Sequence, residues 1–358
     1  MLILLLFITI IMLGTSTYAW FTSNRSVRIE DIDVNVAASG GIQISVDGSN
    51  WKSILTNADL SAAHSTYSAA TNQIPGTLKP VSTAAESLSS GYLSMYLGTV
   101  LSSTATSSVG EYILTAEDVS TVADNSNSGT NNGSNGSFVM FDIFLRLDDS
   151  SANAEAQTLY LTKSSDVVVT SGNTDLGTKN AARVAFINES SIATGSALAS
   201  IQALTTTSTS DIYIWEPNYD THTSTGLANA YSYYNNANSG TQNATAMAGN
   251  QITYYGVKST ISASDNVLLS EANSTDHSSM FSAVTAGIKT PANWTTNNSI
   301  TSYEELFDLE PNKITKVRIY FWIEGQDIDC ENNASGGLIT LKLQFSLNEG
   351  EETTSGTT

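Results

Sequence analysis

Four carboxylates crowd into one short stretch, Glu324, Asp327, Asp329 and Glu331, around Gly325. Oxygen ligands at that density suit a hard cation, and Ca²⁺ is the natural candidate. The spacing fits no known Ca²⁺-loop rule, so a solvated acidic loop in which Asp and Asn set the turn geometry is the simpler account. Asp124, Ser126, Ser128 and Gly129 fail the same rule, because the twelfth position falls on Asn135. Histidine is scarce: His64, His222 and His277 each sit among Ser and Thr, and no His-Glu-x-x-His pair occurs. That pattern excludes the common zinc-peptidase mechanism, and no G-x-S-x-G elbow is present, so enzymatic activity is not expected. Trp215, Trp294, Tyr231, Tyr233 and Tyr234 could stack on sugars or peptides, although packing in core or loops is the better account of most of them.

These groups belong to a chain of 358 residues, 41% hydrophobic and only 13% charged, with a formal net charge of −20. Such acidity repels nucleic acid and anionic lipid, and neither is an expected partner. The remainder is rich in Ser, Thr, Asn, Gly and Ala, which fits an extracellular β protein with long polar loops. Cys330 is the single cysteine, so an intrachain disulfide is excluded. A secreted protein without cysteine pairs points toward a Gram-positive surface.

The elements that must position these residues are strands. Ile339, Leu341, Leu343, Phe345 and Leu347 alternate with polar residues, the mark of a half-buried strand. Val317, Ile319, Phe321 and Ile323 alternate with Arg318, Tyr320, Trp322 and Glu324, giving one aliphatic and one amphipathic aromatic face. With a polar loop between them, the two read as an antiparallel hairpin. Val27 and Ile29 keep one phase and Ile32, Val34 and Val36 the other, which places a bulge or a change of sheet at Glu30-Asp31. Asp47-Gly48 is the strongest turn signal, after Ile42, Ile44 and Val46. Further strands are expected at Phe138 to Leu147, apolar on both faces and therefore central, and at Thr158 to Thr162, Val167 to Thr170, Ala182 to Asn188, Asp211 to Trp215 and Ile252 to Val257. Tyr303 to Phe307 reads as a short helical turn capped by Thr301 or Ser302. Residues 124–137 and 220–250 are low-complexity insertions, and 350–358 an acidic, Thr-rich tail.

Together these features predict an all-β, jelly-roll-like antiparallel β-sandwich with long polar loop insertions and few short helices, in one domain over residues 20–349. Ahead of it, Met1 to Leu13 is an unbroken apolar run, succeeded by small and polar residues up to Ala19. That layout is a secretory signal over residues 1–19, too short for a permanent anchor, with cleavage between Ala19 and Trp20 and membrane contact only during export. The basic residues that precede such a run are missing, which a start assigned too late would explain.

Thr17-Tyr18-Ala19-Trp20-Phe21-Thr22 after an apolar run resembles the processing junction of TasA and camelysin-type secreted proteins of Firmicutes. The strand Ile339 to Leu347, with Lys342-Leu343-Gln344-Phe345-Ser346, is similar to that family's closing strand. Ala182 to Phe186 and Trp322 to Asp327 resemble words in large uncharacterised surface proteins of the same bacteria. The resemblance implies a secreted jelly-roll subunit of extracellular or biofilm fibres, its partner another copy of itself. The new N-terminal segment of one chain would complete the sheet of the next. Residues 20–30 are then the donor arm, with Trp20, Phe21, Val27 and Ile29 as the residues that enter the neighbour and the slip at Glu30-Asp31 as the hinge. Camelysins have been described as metalloproteases, but the missing His pair speaks against that activity here. A surface adhesin or carbohydrate-binding module, contacting cell-wall or matrix polysaccharide through residues 220–250, is the alternative from a different class.

Overall fold

The computed structural model describes residues 27–36, 41–70, 72–89, 91–101, 113–120, 135–147, 155–162, 164–169, 178–217, 255–268, 275–284, 288–289, 304–327, 329–330 and 338–347. Strands dominate these residues. In chain order the first are β1 (Val27–Val36), β2 (Ile42–Ser45), β3 (Ile54–Leu55), β4 (Thr77–Leu78), β5 (Leu88–Ser89), β6 (Tyr92–Leu93), β7 (Tyr96–Leu101) and β8 (Ile113–Asp118). Next come β9 (Asn135–Gly136), β10 (Val139–Leu147), β11 (Gln157–Leu161), β12 (Asp166–Val169), β13 (Ala182–Ala193), β14 (Ile212–Trp215) and β15 (Tyr255–Val257). The last are β16 (Phe281–Ala283), β17 (Ile288–Lys289), β18 (Glu304–Leu309), β19 (Lys313–Ile323) and β20 (Leu338–Ser346). Among the described residues two short helices, α1 (Asn57–Ala62) and α2 (Leu198–Gln202), lie between strands. α1 starts where the Thr56 hydroxyl accepts from Asp59 N and the Asp59 carboxylate accepts from Thr56 N, a reciprocal cap.

Most strands join one of two sheets. An eight-stranded sheet runs β18-β11-β20-β1-β4-β9, with β12 also on β20 and β3 also on β1. A six-stranded sheet runs β17-β14-β13-β19-β10-β2. Pairing is mainly antiparallel, while β1 with β20, β4 with β9 and β14 with β17 run parallel. Their apolar faces share one core, in which Phe141, Ile143, Val184, Phe186, Val317, Ile319 and Phe321 of the six-stranded sheet meet Leu159, Leu161, Ile339, Leu341, Leu343 and Phe345 of the other. The rings of Phe186 and Phe345 pack edge to face with centroids 5.9 Å apart.

The six-stranded sheet is covered on its other face too. There Met140, Ala185, Ile187, Tyr320 and Trp322 pack under Val81, Leu93 and Met95, and Phe144 packs under Ala63, Tyr67 and Ile201. This double burial explains why Phe138 to Leu147 is apolar throughout, as a central strand should be. Segment 81–85 is held especially close, since a Cβ added to Gly256 of β15 would lie 2.1 Å from the Thr83 carbonyl oxygen.

Several expectations hold locally. The slip at Glu30-Asp31 is a bulge, where the β1–β20 register shifts between Ile29 and Asp31. At the Asp47-Gly48 turn, Gly48 has φ +79° and the Asp47 carboxylate accepts from the backbone N–H of Ser49 and Asn50. Two expectations fail. Residues 317–323 and 339–347 are not a hairpin: β19 is flanked by β10 and β13 in the six-stranded sheet, and β20 lies in the eight-stranded one. A strand with antiparallel partners on both sides has no edge left for its successor. Of the helical turn expected over Tyr303 to Phe307, the described part, Glu304 to Phe307, belongs instead to β18, paired with β11, where Leu306, Phe307 and Leu309 are buried while Glu305 and Asp308 face out. So short a helical signal yields readily to a ladder and a core. Strand 252–257 is seen as β15 alone; of the insertion 124–137, Asn135–Gly136 form β9 beside β4, while its residues 124–134, the insertion 220–250 and the tail 350–358 lie outside the described residues.

Replacing Leu341, fully buried, by Ala is expected to cost about 2–5 kcal/mol through lost burial and a residual cavity. Lys342→Ala, one residue on and exposed, should cost less than about 1 kcal/mol. Urea unfolding of both variants checks the alternation, and equal losses would contradict it.

Candidate functional site

The covered face of the six-stranded sheet carries charge. Asp142 of β10 and Arg318 of β19 are direct cross-strand partners, bonded twice, Nε to Oδ1 at 2.8 Å and Nη2 to Oδ2 at 3.1 Å. Lys316, on the same face, places Nζ 3.2 Å from Asp142 Oδ2 and donates to the carbonyls of Gln202 and Leu204 at 3.1 and 3.0 Å. Arg318 Nη1 donates to the Gly91 carbonyl at 3.1 Å and lies 3.4 Å from Glu189 Oε1, while Glu189 Oε2 accepts from Thr206 N at 2.8 Å. The Arg318 guanidinium also lies over the Tyr92 ring at 4.7 Å. Two cations thus face two carboxylates, and the four side chains are almost completely buried.

Partners of this quartet come from the segments that cover the sheet. Tyr67, Gly91, Tyr92, Gln202, Leu204 and Thr206 each contact it, so the charges fasten the cover to the sheet, and Asn72 Oδ1 accepts from the backbone N–H of Asp142 beside them. Gly91, at φ +78°, allows the closest approach: a Cβ there would meet the Glu189 carboxylate oxygens at 2.5 and 2.6 Å. Burial alone would raise the Asp142 carboxyl, but Arg318 and Lys316 outweigh it and hold it below the usual carboxylate range. For Glu189 burial wins and pushes the carboxyl up despite Arg318.

Of the four carboxylates grouped around Gly325 in sequence, three lie in a second buried cluster on that face. Arg183 of β13, without solvent exposure, sets Nη2 2.5 Å from Asp327 Oδ2 and 2.6 Å from Glu216 Oε1. Its Nη1 donates to the carbonyls of Asn180 and Ala182. Glu324 accepts from Trp322 Nε1 at 3.0 Å and from Gln326 N at 2.9 Å, and Asp329 accepts from Asn180 Nδ2 at 2.9 Å. Three backbone bonds hold the turn, with Glu324 N donating to Ala181 O, Gly325 N to Val81 O, and Val81 N to Ile323 O. Glu331 lies outside the described residues. Among the described residues no group of three or more His, Cys, Asp or Glu side chains is arranged to hold a metal ion. Arg183, Glu216 and Asn180 are not foreseen from the sequence. The one available signal is an arginine inside the apolar run Ala182 to Phe186.

The proposed assembly residues divide. Val27 and Ile29 lie in β1, where Val27 is opposite Leu78 of β4 and Ile29 opposite Ile339 of β20. The slip at Glu30-Asp31 is a bulge within β1, where its register on β20 shifts. Ala19, Trp20 and Phe21 lie outside the described residues, as do His222, Trp294, Tyr231, Tyr233 and Tyr234. Trp215 is fully buried in the main core and presents no stacking surface. His64 and His277 sit in separate 3₁₀ turns.

No family model matches the chain, and neither does any curated protein or solved structure.

Removing one partner of a buried pair strands the other, so Arg318→Met is expected to cost about 3–5 kcal/mol. Asp142→Leu combined with Arg318→Met should cost clearly less than the two single changes added, with a coupling of about 0.5–3 kcal/mol. Urea unfolding of the four proteins closes the cycle, and strict additivity would contradict the pairing.

Burial pushes the Glu324 carboxyl up to about 7, the bonds from Trp322 and Gln326 only partly opposing it. Folding therefore holds a proton that the unfolded chain releases near its ordinary pKa of 4.5. The contribution is complete below that pH and fades as pH rises toward 7, by up to about 3 kcal/mol. Asp142 acts oppositely and lower, its contribution fading as pH falls below the ordinary 3.8. Glu324→Gln, neutral at every pH, should flatten the stability difference between pH 5 and pH 7.5. An unchanged difference would show that Glu324 does not carry it.

Proposed function

We propose that this chain is a secreted structural protein of the cell surface or biofilm matrix, a fibre or pilus-like subunit on a jelly-roll-type β-sandwich. Its N-terminal segment joins subunits by completing the sheet of a neighbour. The observation that carries this reading is the place of β1. Its backbone is enclosed between β20 on one side and β3 and β4 on the other. Its longest pairing, to β20, is to the segment farthest from it in the described chain, so that flank of the slot imposes no requirement that strand and sheet belong to the same chain. A strand from a second copy would meet the same backbone groups, and the apolar Trp20 and Phe21 just ahead of it would gain burial they lack in a free tail.

Composition supports the same reading. An acidic chain poor in charge, with long Ser, Thr and Asn-rich insertions and one cysteine, suits an extracellular solvent, and the Tyr18-Ala19-Trp20 junction supplies the cut that would free the segment. Matrix or cell-wall polysaccharide is the second contact such a subunit would make. No cofactor is required for this role.

Electron microscopy tests it. Protein beginning at Trp20 should form fibres, and protein lacking residues 20–26, with β1 intact, should stay dispersed. Two dispersed preparations, or fibres from both, would overturn assembly through this segment.

A further inference from the structure

β1 and β20 are the first and last described strands, and they lie side by side. They are also parallel, joined through eight residue pairs from Arg28 opposite Leu338 to Val36 opposite Phe345, with one register shift at the bulge between Ile29 and Asp31. We infer that this ladder is a mechanical clamp, which resists tension applied to the chain on its two sides.

In a parallel pair the start of one strand lies beside the start of the other, so the chain enters β1 at one end of the ladder and leaves β20 at the opposite end. Tension along the chain then slides the strands past each other. The ladder bonds share the load and must fail together. Were the pair antiparallel, both chain ends would leave from the same end of the ladder, and the bonds would open one at a time.

Neither strand can yield by tilting away, because both are interior. β20 is held on its far side by β11 and β12, with Asp166 opposite Lys342 and Val169 opposite Ile339. β1 is held on its far side by β3 and β4. Sliding is opposed by side chains as well. Ile339, Leu341, Leu343 and Phe345 are buried in the core, and a shift of one residue, about 3.3 Å, would drive Lys342 and Gln344 toward it. The bulge between Ile29 and Asp31 divides the ladder, leaving its longer, uninterrupted part from Asp31 to Val36.

This inference stands on the ladder alone and does not depend on subunit assembly. It is tested on single monomers by force spectroscopy. In one protein, handles are fused outside β1 and β20, so that force shears the ladder. In the second, one handle is inserted between Val36 and Ile42 and the other kept beyond Ser346, so that the same ladder opens from one end. Rupture force at equal loading rate should be at least about twofold higher in the first, since forced rupture reports the unfolding barrier along the pulled direction. Equal forces, or a higher force in the second, would overturn the clamp. Should the insertion prevent folding, the comparison uses a handle at exposed Asn50 instead, which does not pull β1 from its outer end. The same difference is expected there, and its absence overturns the inference. Fibre formation is read separately by microscopy, so failure of one result does not decide the other.

Discussion

β19 sets the terms for the rest of the molecule. It is buried on both faces, and its two faces make unlike demands. Val317, Ile319, Phe321 and Ile323 need only apolar neighbours. Lys316 and Arg318 cannot be left unpaired away from water, because an isolated buried charge costs far more than a domain's net stability can absorb. Asp142 on the adjacent strand answers both, and Glu189 adds a further carboxylate. The covering segments then supply carbonyls and a tyrosine hydroxyl for the donors that remain. Good geometry in such a cluster does not guarantee a net favourable energy, but it leaves the cover one position in which the donors are satisfied. The charges specify where the cover sits, and the apolar contacts of Val81, Leu93 and Met95 supply its affinity.

The two sheets differ in how openly they announce themselves. β20 has a core face and a more polar face, so its alternation reads directly from Ile339 to Phe345. β10 has no exposed face, and its sequence shows only that it is central. The same contrast explains the acidic turn. On an open face, Glu324, Asp327 and Asp329 would be solvated or free to hold a cation, which is how they read in isolation. On a covered face they meet Arg183, Asn180 and Trp322. Arg183 lies far away in sequence, and periodicity carries no sign of it. Strand positions near 182–188, 211–215 and 317–323 were legible because alternation and apolar runs are local properties. Sheet membership was not. The failed hairpin shows why: two good strands separated by a polar loop are neighbours only when the first has an edge to offer, and the partners that remove that edge, β10 and β13, precede it in the chain. At β18 the error runs the other way, since five residues of helical propensity carry less weight than one flank of paired strand and a buried Leu309.

Pairing β1 with β20 joins segments from the two ends of the described fold, and nearly every other described element lies between them in sequence. The eight-stranded sheet cannot close until its last strand is in place. Long-range pairing of this kind is slow, because the entropy of loop closure is lost before the contact returns anything. Until β20 arrives, β1 can rest only on the short strands β3 and β4. A ladder formed late in folding contributes little to the folding barrier and mainly slows unfolding. The interval in which β1 lacks its principal partner is also the interval in which the same slot in another copy is open. Under the assembly proposed above, β1 still unpaired on its β20 flank is the strand that another copy would take up, and concentration during folding would then decide between the two outcomes.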